Sequence, residues 1–263
     1  METGLKGRVA LVAAASKGLG RAIAEGLAAE GASLALCARG AETLAKTAAE
    51  IATRSGAPVH PVAADLATAA GIAQVTRSTL ERYGRVDVLV TNAGGPPVGR
   101  FEALEWIAWQ RAVELTLRSA VELTRAVLPG MRERRWGRVI HVTSLVVKQP
   151  IDGLMLSTSI RAAVTGFSRT LANETAAEGI TVNTILPGFM NTKRVIELNR
   201  MTAEREGVTV ETVERRVRQQ IPARRVGEPR ELAALAVFLA SEGASYITGQ
   251  SIAADGGWIQ SLL

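Results

Sequence analysis

Apolar runs and amphipathic stretches alternate along almost the whole chain. Residues 9–15 form an uninterrupted apolar run, cut short by small residues at 16–20, after which Ile23, Leu27 and several alanines recur at helical spacing. This reads as strand, turn, helix, and the unit repeats. A strand at 33–38 leads into a helix with Leu44, Ala48 and Ile51 on one face and a stop at Ser55-Gly56. A strand at 59–63, a helix at 72–83 and a strand at 86–91 follow, then a loop at 92–97 whose prolines no helix crosses. The pattern next predicts a long helix over 104–133, with Pro129-Gly130 as the point where it can break, a strand at 138–143 and a helix at 160–177. A sixth strand at 180–186 is halted by Pro187-Gly188, and a helix at 229–240 precedes a short strand at 250–254 and the turn Asp255-Gly256-Gly257. Strict βα alternation predicts the α/β class: a doubly wound sheet of about seven parallel strands with helices on both faces. Residues 189–222 are charged and helical in pattern, with few apolar anchors. With no linker or repeat period, residues 1–263 read as one domain with a helical lid at 189–222.

Composition narrows the function classes. Of 263 residues, 47% are hydrophobic and only 4% aromatic, which suits helices packed closely on a parallel sheet. The single cysteine, Cys37, excludes an internal disulfide framework and a cysteine-based metal cluster, so no metal is expected. No apolar run reaches the roughly 18 residues of a membrane span, and the chain is expected to be cytoplasmic, with no membrane partner. The net charge is +6. It concentrates in residues 190–230, with ten Lys or Arg against six Glu, and in Arg132, Arg134, Arg135 and Arg138. Neither segment interleaves aromatics for base stacking, so no nucleic-acid partner is expected; attraction of an anionic substrate fits better.

The chemistry-bearing residues fall just after strands. Ser16, Lys17, Gly18, Leu19 and Gly20 form a turn whose backbone N–H groups can approach an anion, helped by the helix N-terminus that follows. Asp65-Leu66 follows the third strand, Asn92-Ala93-Gly94 the fourth, Ser144 the fifth and Pro187-Gly188 the sixth. With Arg161-Ala-Ala-Val164, Tyr246-Ile-Thr-Gly-Gln250 and Asp255-Gly-Gly257, these stretches in this order resemble the short-chain dehydrogenase/reductase family over nearly the whole chain. The resemblance implies a Rossmann-type sheet that holds a nicotinamide dinucleotide across the strand C-terminal ends. It also implies hydride transfer to or from a small carbonyl or hydroxyl compound, and a homotetramer or homodimer. NADP(H) is favoured over NAD(H), because Arg39 ends the second strand where an acidic residue would bond NAD ribose, and Lys17 adds a second cation. Asp65 is matched to the adenine edge, with a helix N-cap as its other reading, and Thr192 to the carboxamide donor.

The resemblance also marks departures. Ala14 stands where the family turn often has glycine. The family places a Tyr thirteen residues after the serine and a Lys four further on; these positions hold Ser157 and Arg161, and the family's helix Asn is Thr116. An aliphatic hydroxyl is a far poorer proton donor than a phenol, and a guanidinium stays protonated. The expectation is therefore an oxidoreductase of atypical mechanism resembling 3-oxoacyl-acyl-carrier-protein reductases, with a non-catalytic NADP(H)-binding sensor or scaffold as the alternative. Arg134 and Arg135 match a basic acyl-carrier patch, which makes an acyl-linked substrate one reading. Tyr83 and Tyr246 read as packing residues, and His141 as a core histidine in the fifth strand.

Overall fold

In the computed structural model, residues 2–262 are described. The strands are β1 (Val9–Ala13), β2 (Ser33–Ala38), β3 (Val59–Ala63), β4 (Val88–Thr91), β5 (Gly137–Val142), β6 (Ile180–Pro187) and β7 (Ser251–Ala254). They form one seven-stranded sheet in the order β3-β2-β1-β4-β5-β6-β7, every pairing parallel. The helices are α1 (Gly18–Ala29), α2 (Ala41–Ser55), α3 (Ala69–Tyr83), α4 (Trp106–Ala112), α5 (Ser119–Glu133), α6 (Met155–Thr175), α7 (Lys193–Glu206), α8 (Val210–Gln220) and α9 (Pro229–Ala240).

Two apolar layers sandwich the sheet, and the period of two along β1 assigns its residues between them. Ala10 and Val12 join Ile23 and Leu27 of α1, Leu44 and Ile51 of α2, and Leu232 and Leu239 of α9. Leu11 and Ala13 face the other way, onto Ile72 and Val75 of α3, Leu123 and Val127 of α5, and Leu171 of α6. Burial on both faces is why these strands read as continuous apolar runs. Strand order reverses between β1 and β4, which places a topological switch point at their C-terminal ends.

Several boundaries differ from the sequence reading. The long helix is three pieces, because Val113–Arg118 is π-helical between α4 and α5. Pro129 does not break α5. It and Arg125 lie on the exposed face, so the carbonyl that loses its N–H partner faces water. Helix α3 begins at Ala69 because Thr68 caps it, its hydroxyl accepting from Gly71 N at 3.0 Å. That corrects the N-cap reading of Asp65, whose carboxylate instead accepts from Ala67 N at 3.0 Å. Helix α6 starts five residues early, at Met155. Tyr83 packs as expected, donating to Leu34 O at 3.1 Å, whereas Tyr246 is fully exposed, against its reading as a packing residue. No helix is long and apolar enough to cross a membrane among the described residues.

Candidate functional site

The loops at the C-terminal ends of β1, β4, β5 and β6 meet in one cleft. After β1, Ser16 and Lys17 lead into α1, and Thr47 fixes the turn by donating to Ser16 O at 3.0 Å. Helix α1 starts without a side-chain cap and with no acidic residue in its first turn. Its first N–H groups are therefore left for an anion. Gly18 has φ +58°, which a side chain rarely adopts, and a Cβ on Gly20 would strike the Ala14 carbonyl oxygen. The turn thus fits the diphosphate of a dinucleotide by its own geometry. Lys17 and Arg39 lie exposed beside it, and neither side chain has a hydrogen-bond or ion-pair partner among the described residues. Asp65 and Leu66 close the β3 end, exposed and buried respectively.

Ala14 is in the left-handed region, φ +51°, where glycine is free and alanine is strained by roughly 1–2 kcal/mol. The lost backbone freedom of an added glycine offsets part of this. Ala14→Gly is expected to stabilise the fold by about 0.5–1 kcal/mol, read as a higher urea midpoint at unchanged slope; a lower midpoint counts against the strain.

Opposite the turn, Thr192 caps α7, accepting from Val195 N at 3.4 Å, and a Cβ on Gly18 would lie 3.7 Å from Thr192 Cγ2. Pro187 and Gly188 carry the chain there from β6, Gly188 packing so tightly on Asp255 that a Cβ would meet its Cα at 2.5 Å. The β4 loop supplies Asn92, Ala93 and Gly94; a Cβ on Gly94 would meet nothing within 4 Å. Ser144 ends the β5 side, its hydroxyl accepting from Val146 N at 3.4 Å, a weak bond that leaves it available.

Arg161, on α6, ties these loops together. It is 6% exposed. It donates to Thr143 O at 2.7 Å and Val142 O at 3.3 Å through Nη1, and to Ala93 O at 3.4 Å through Nη2. Its Nε is buried without a partner. Burial first, and the charge of Arg194 second, push its pKa down to about 10, so it is still charged at pH 7. Ser157 stands one helical turn earlier, half-buried. Thr116 lies in the π-helical segment, its hydroxyl buried and unpartnered. A cavity of about 410 Å³ opens between residues 99–102 and 150–158, with Phe101, Met155 and Thr158 in its wall.

The sequence reading missed Arg194. Two residues past Thr192, it donates to Pro96 O at 3.0 Å, and its guanidinium lies 3.0 Å from where a Gly95 Cβ would be. The available signal was a cation in the anchored first turn of α7, hidden among the many arginines of residues 189–222. The basic pair Arg134 and Arg135 lies elsewhere. Arg134 donates to Val86 O at 2.8 Å and approaches buried Asp87, and Arg135 donates to Ala177 O at 2.9 Å, at the N-terminal edge of the sheet.

A seven-stranded parallel sheet with an uncapped helix N-terminus at its switch point defines a Rossmann-type fold, in which that helix end can take the diphosphate of a dinucleotide. A family model described as enoyl-(acyl carrier protein) reductase matches residues 13–259. The chain belongs to the short-chain dehydrogenase/reductase family. It is similar to the 3-oxoacyl-[acyl-carrier-protein] reductase FabG of Vibrio cholerae, 36% identical over 253 residues that cover 96% of this chain and 98% of the relative. It is likewise similar to D-beta-hydroxybutyrate dehydrogenase of Cupriavidus necator, 37% identical over 263 residues, covering 97% of this chain and 99% of that one. Among solved structures, L-sorbose reductase from Gluconobacter frateurii, complexed with NADPH and L-sorbose, superposes with a TM-score of 0.95 at 36% identity, covering all of both chains.

Proposed function

We propose that this chain is an NADP(H)-dependent oxidoreductase acting on a small carbonyl or hydroxyl compound, with proton handling unlike that of its relatives. The observation that carries the reading is the pair of unpartnered cations, Lys17 and Arg39, beside an uncapped helix N-terminus at the sheet's switch point. A 2′-phosphate takes charge-assisted bonds from such a pair, whereas NAD offers only an uncharged hydroxyl at that position. NADPH in the sorbose reductase, the same fold at 36% identity, supports the assignment.

When bound, the nicotinamide supplies or accepts the hydride. The chain's own residues do the rest. Thr192 is suited to donate to the carboxamide, and Asp65 to accept from the adenine edge. Ser144 can donate to the substrate oxygen, and Arg161 holds a fixed positive charge under the β4 and β5 loops, where an oxygen gaining negative charge is stabilised. Neither Ser157 nor Arg161 is a ready proton donor, so the proton comes from water, and turnover is correspondingly slow. Helices α7 and α8 act as the lid, and the exposed Trp106, Ile107 and Val113 of the 106–118 stretch suit a subunit interface of a dimer or tetramer.

A second reading keeps the binding and drops the chemistry: an NADP(H) sensor or scaffold. It rests on Arg161, whose Nη atoms are all engaged by backbone carbonyls. One experiment separates the two. NADPH consumption across a panel of ketones, with Ser144→Ala slower, supports the enzyme; NADPH binding without consumption supports the sensor. In both cases Arg39→Asp is expected to weaken NADPH binding by roughly 10- to 100-fold, the worth of a charge-assisted bond, with little change for NADH. Equal loss for both cofactors counts against the NADP assignment.

A further inference from the structure

We infer that Arg194 and Arg161 form a seat for an oxyanion of the substrate, which makes the preferred substrate a ketone or alcohol bearing a carboxylate or phosphate. The inference rests on reading this cleft as the site of carbonyl reduction, and adds to that reading the class of molecule it takes.

Of the six arginines of α7 and α8, Arg200 and Arg215 are exposed, and three others meet glutamates. Arg205 and Arg216 pair with Glu206, and Arg218 with Glu214, all on the exposed side. Arg194 turns the other way, over the β4 loop, where its side chain donates to the Pro96 carbonyl oxygen at 3.0 Å. Arg161 approaches the same loop from beneath and holds the Ala93 carbonyl. Two guanidinium groups therefore grip residues 93–96 from either end, with Arg194 near enough for its charge to act on Arg161. Neither has a carboxylate partner among the described residues.

Such an arrangement costs stability twice. A buried cation without a counter-ion gives up its hydration, and a like charge nearby raises the cost. Arg161 also leaves its buried Nε unpartnered. Backbone carbonyls satisfy some of the N–H groups but neutralise no charge. An oxyanion on the Arg194 fork, with Arg161 as the fixed charge beneath the same loop, would supply the missing negative charge, because a guanidinium presents parallel donors to carboxylate or phosphate oxygens. Room exists beside the loop, since a Cβ added at Gly94 would meet nothing within 4 Å. The same chemistry could be met by the cofactor's diphosphate, so the test separates the two sources.

The probes are acetoacetate and ethyl acetoacetate, which share the ketone and differ in charge. For the wild type, kcat/KM with NADPH is expected to favour acetoacetate. Arg194→Met, which keeps the apolar stem, should lower the acetoacetate-to-ester ratio by roughly 10- to 100-fold, and Arg194→Lys by less. The NADPH dissociation constant of Arg194→Met should stay within about threefold of wild type. A wild-type preference for the ester, or an unchanged ratio in the methionine variant, overturns the seat. A rise in the NADPH constant that matches the loss in ratio assigns the pair to the diphosphate and overturns it too. If neither ketone is consumed, the reaction proposed above fails, and calorimetry of malonate against malonamide on the NADPH-saturated wild-type protein decides the seat. Malonate binding at least about tenfold tighter supports it; equal binding of the two overturns it.

Discussion

Arg161→Met is expected to lower NADPH-dependent ketone turnover by about 10²- to 10⁴-fold, the usual worth of a positioned group at a developing charge. The same change should destabilise the fold by about 2–3 kcal/mol. The two effects have one origin. The guanidinium sits at 6% exposure and holds Val142, Thr143 and Ala93 by their carbonyls, so it fixes the ends of β5 and β4 against each other. Ser144 is the residue after Thr143, and its hydroxyl has only a 3.4 Å bond of its own to hold it. Methionine fills the volume and leaves these carbonyls without donors, which loosens both loops where the substrate oxygen is to be placed. Arg161→Lys separates positioning from proton transfer. An ammonium keeps the charge and part of the bonding, but it titrates where a guanidinium does not, and burial with Arg194 nearby makes it release its proton more readily than a free lysine. The lysine variant should therefore show an inflection on the alkaline limb of its kcat profile that the wild type lacks. Methionine at position 161 with wild-type kcat/KM and an unshifted melting point would remove Arg161 from the machinery.

The architecture was legible in the chain because the physics that sets it is local and repeated. Strands buried on both faces must be apolar throughout, as all of Val9–Ala13 is, and helices on such a sheet need only one apolar stripe. The loops that gather at the switch point follow from strand order, so the sequence alone places Gly18, Gly94, Ser144 and Thr192 at one end of the sheet. What escaped is what periodicity does not encode. The π-helical turn at Val113–Arg118 has the composition of the helix on either side of it and shows no breaker. Pro129 looks like a breaker, but its exposed position lets water take the freed carbonyl. Arg194 escaped because charge on an amphipathic helix normally points to solvent, and only the fold turns the first residues of α7 back over the β4 loop. Tyr246 was assigned to packing on the strength of its ring, whereas its side chain is wholly exposed. Ala14 was half legible: its place in the turn was suspect for lack of glycine, and the left-handed backbone gives the reason.

Lowering the pH from about 6.5 to 4 is expected to cost the protein about 3 kcal/mol of stability through His141 alone. The ring is fully buried in β5, with Nδ1 2.7 Å from Thr91 Oγ1 and Nε2 without a partner. Phe167 packs on it with ring centroids 5.6 Å apart, and Thr184, its register neighbour on β6, has a buried hydroxyl that is also unpartnered. These neighbours carry no negative charge to offset an imidazolium, and burial pushes the pKa down to about 4. The sign follows from proton counting. Between the two values the unfolded chain binds a proton that the folded chain refuses, so stability falls as the pH falls through this window and is level on either side of it. For a chain of this size the loss corresponds to roughly 6–12 °C in melting temperature. Glu231 lies in a separate, lower window, since Arg225 and its own cap position hold its carboxyl down to about 2. The contrast between wild type and His141→Leu therefore isolates the histidine. Leucine removes both the titration and the unpartnered nitrogen, and its melting temperature should be flatter than that of the wild type from pH 6.5 to 4. Parallel curves for the two proteins across that interval would place the acid sensitivity on other groups and leave the burial of His141 without a thermodynamic cost.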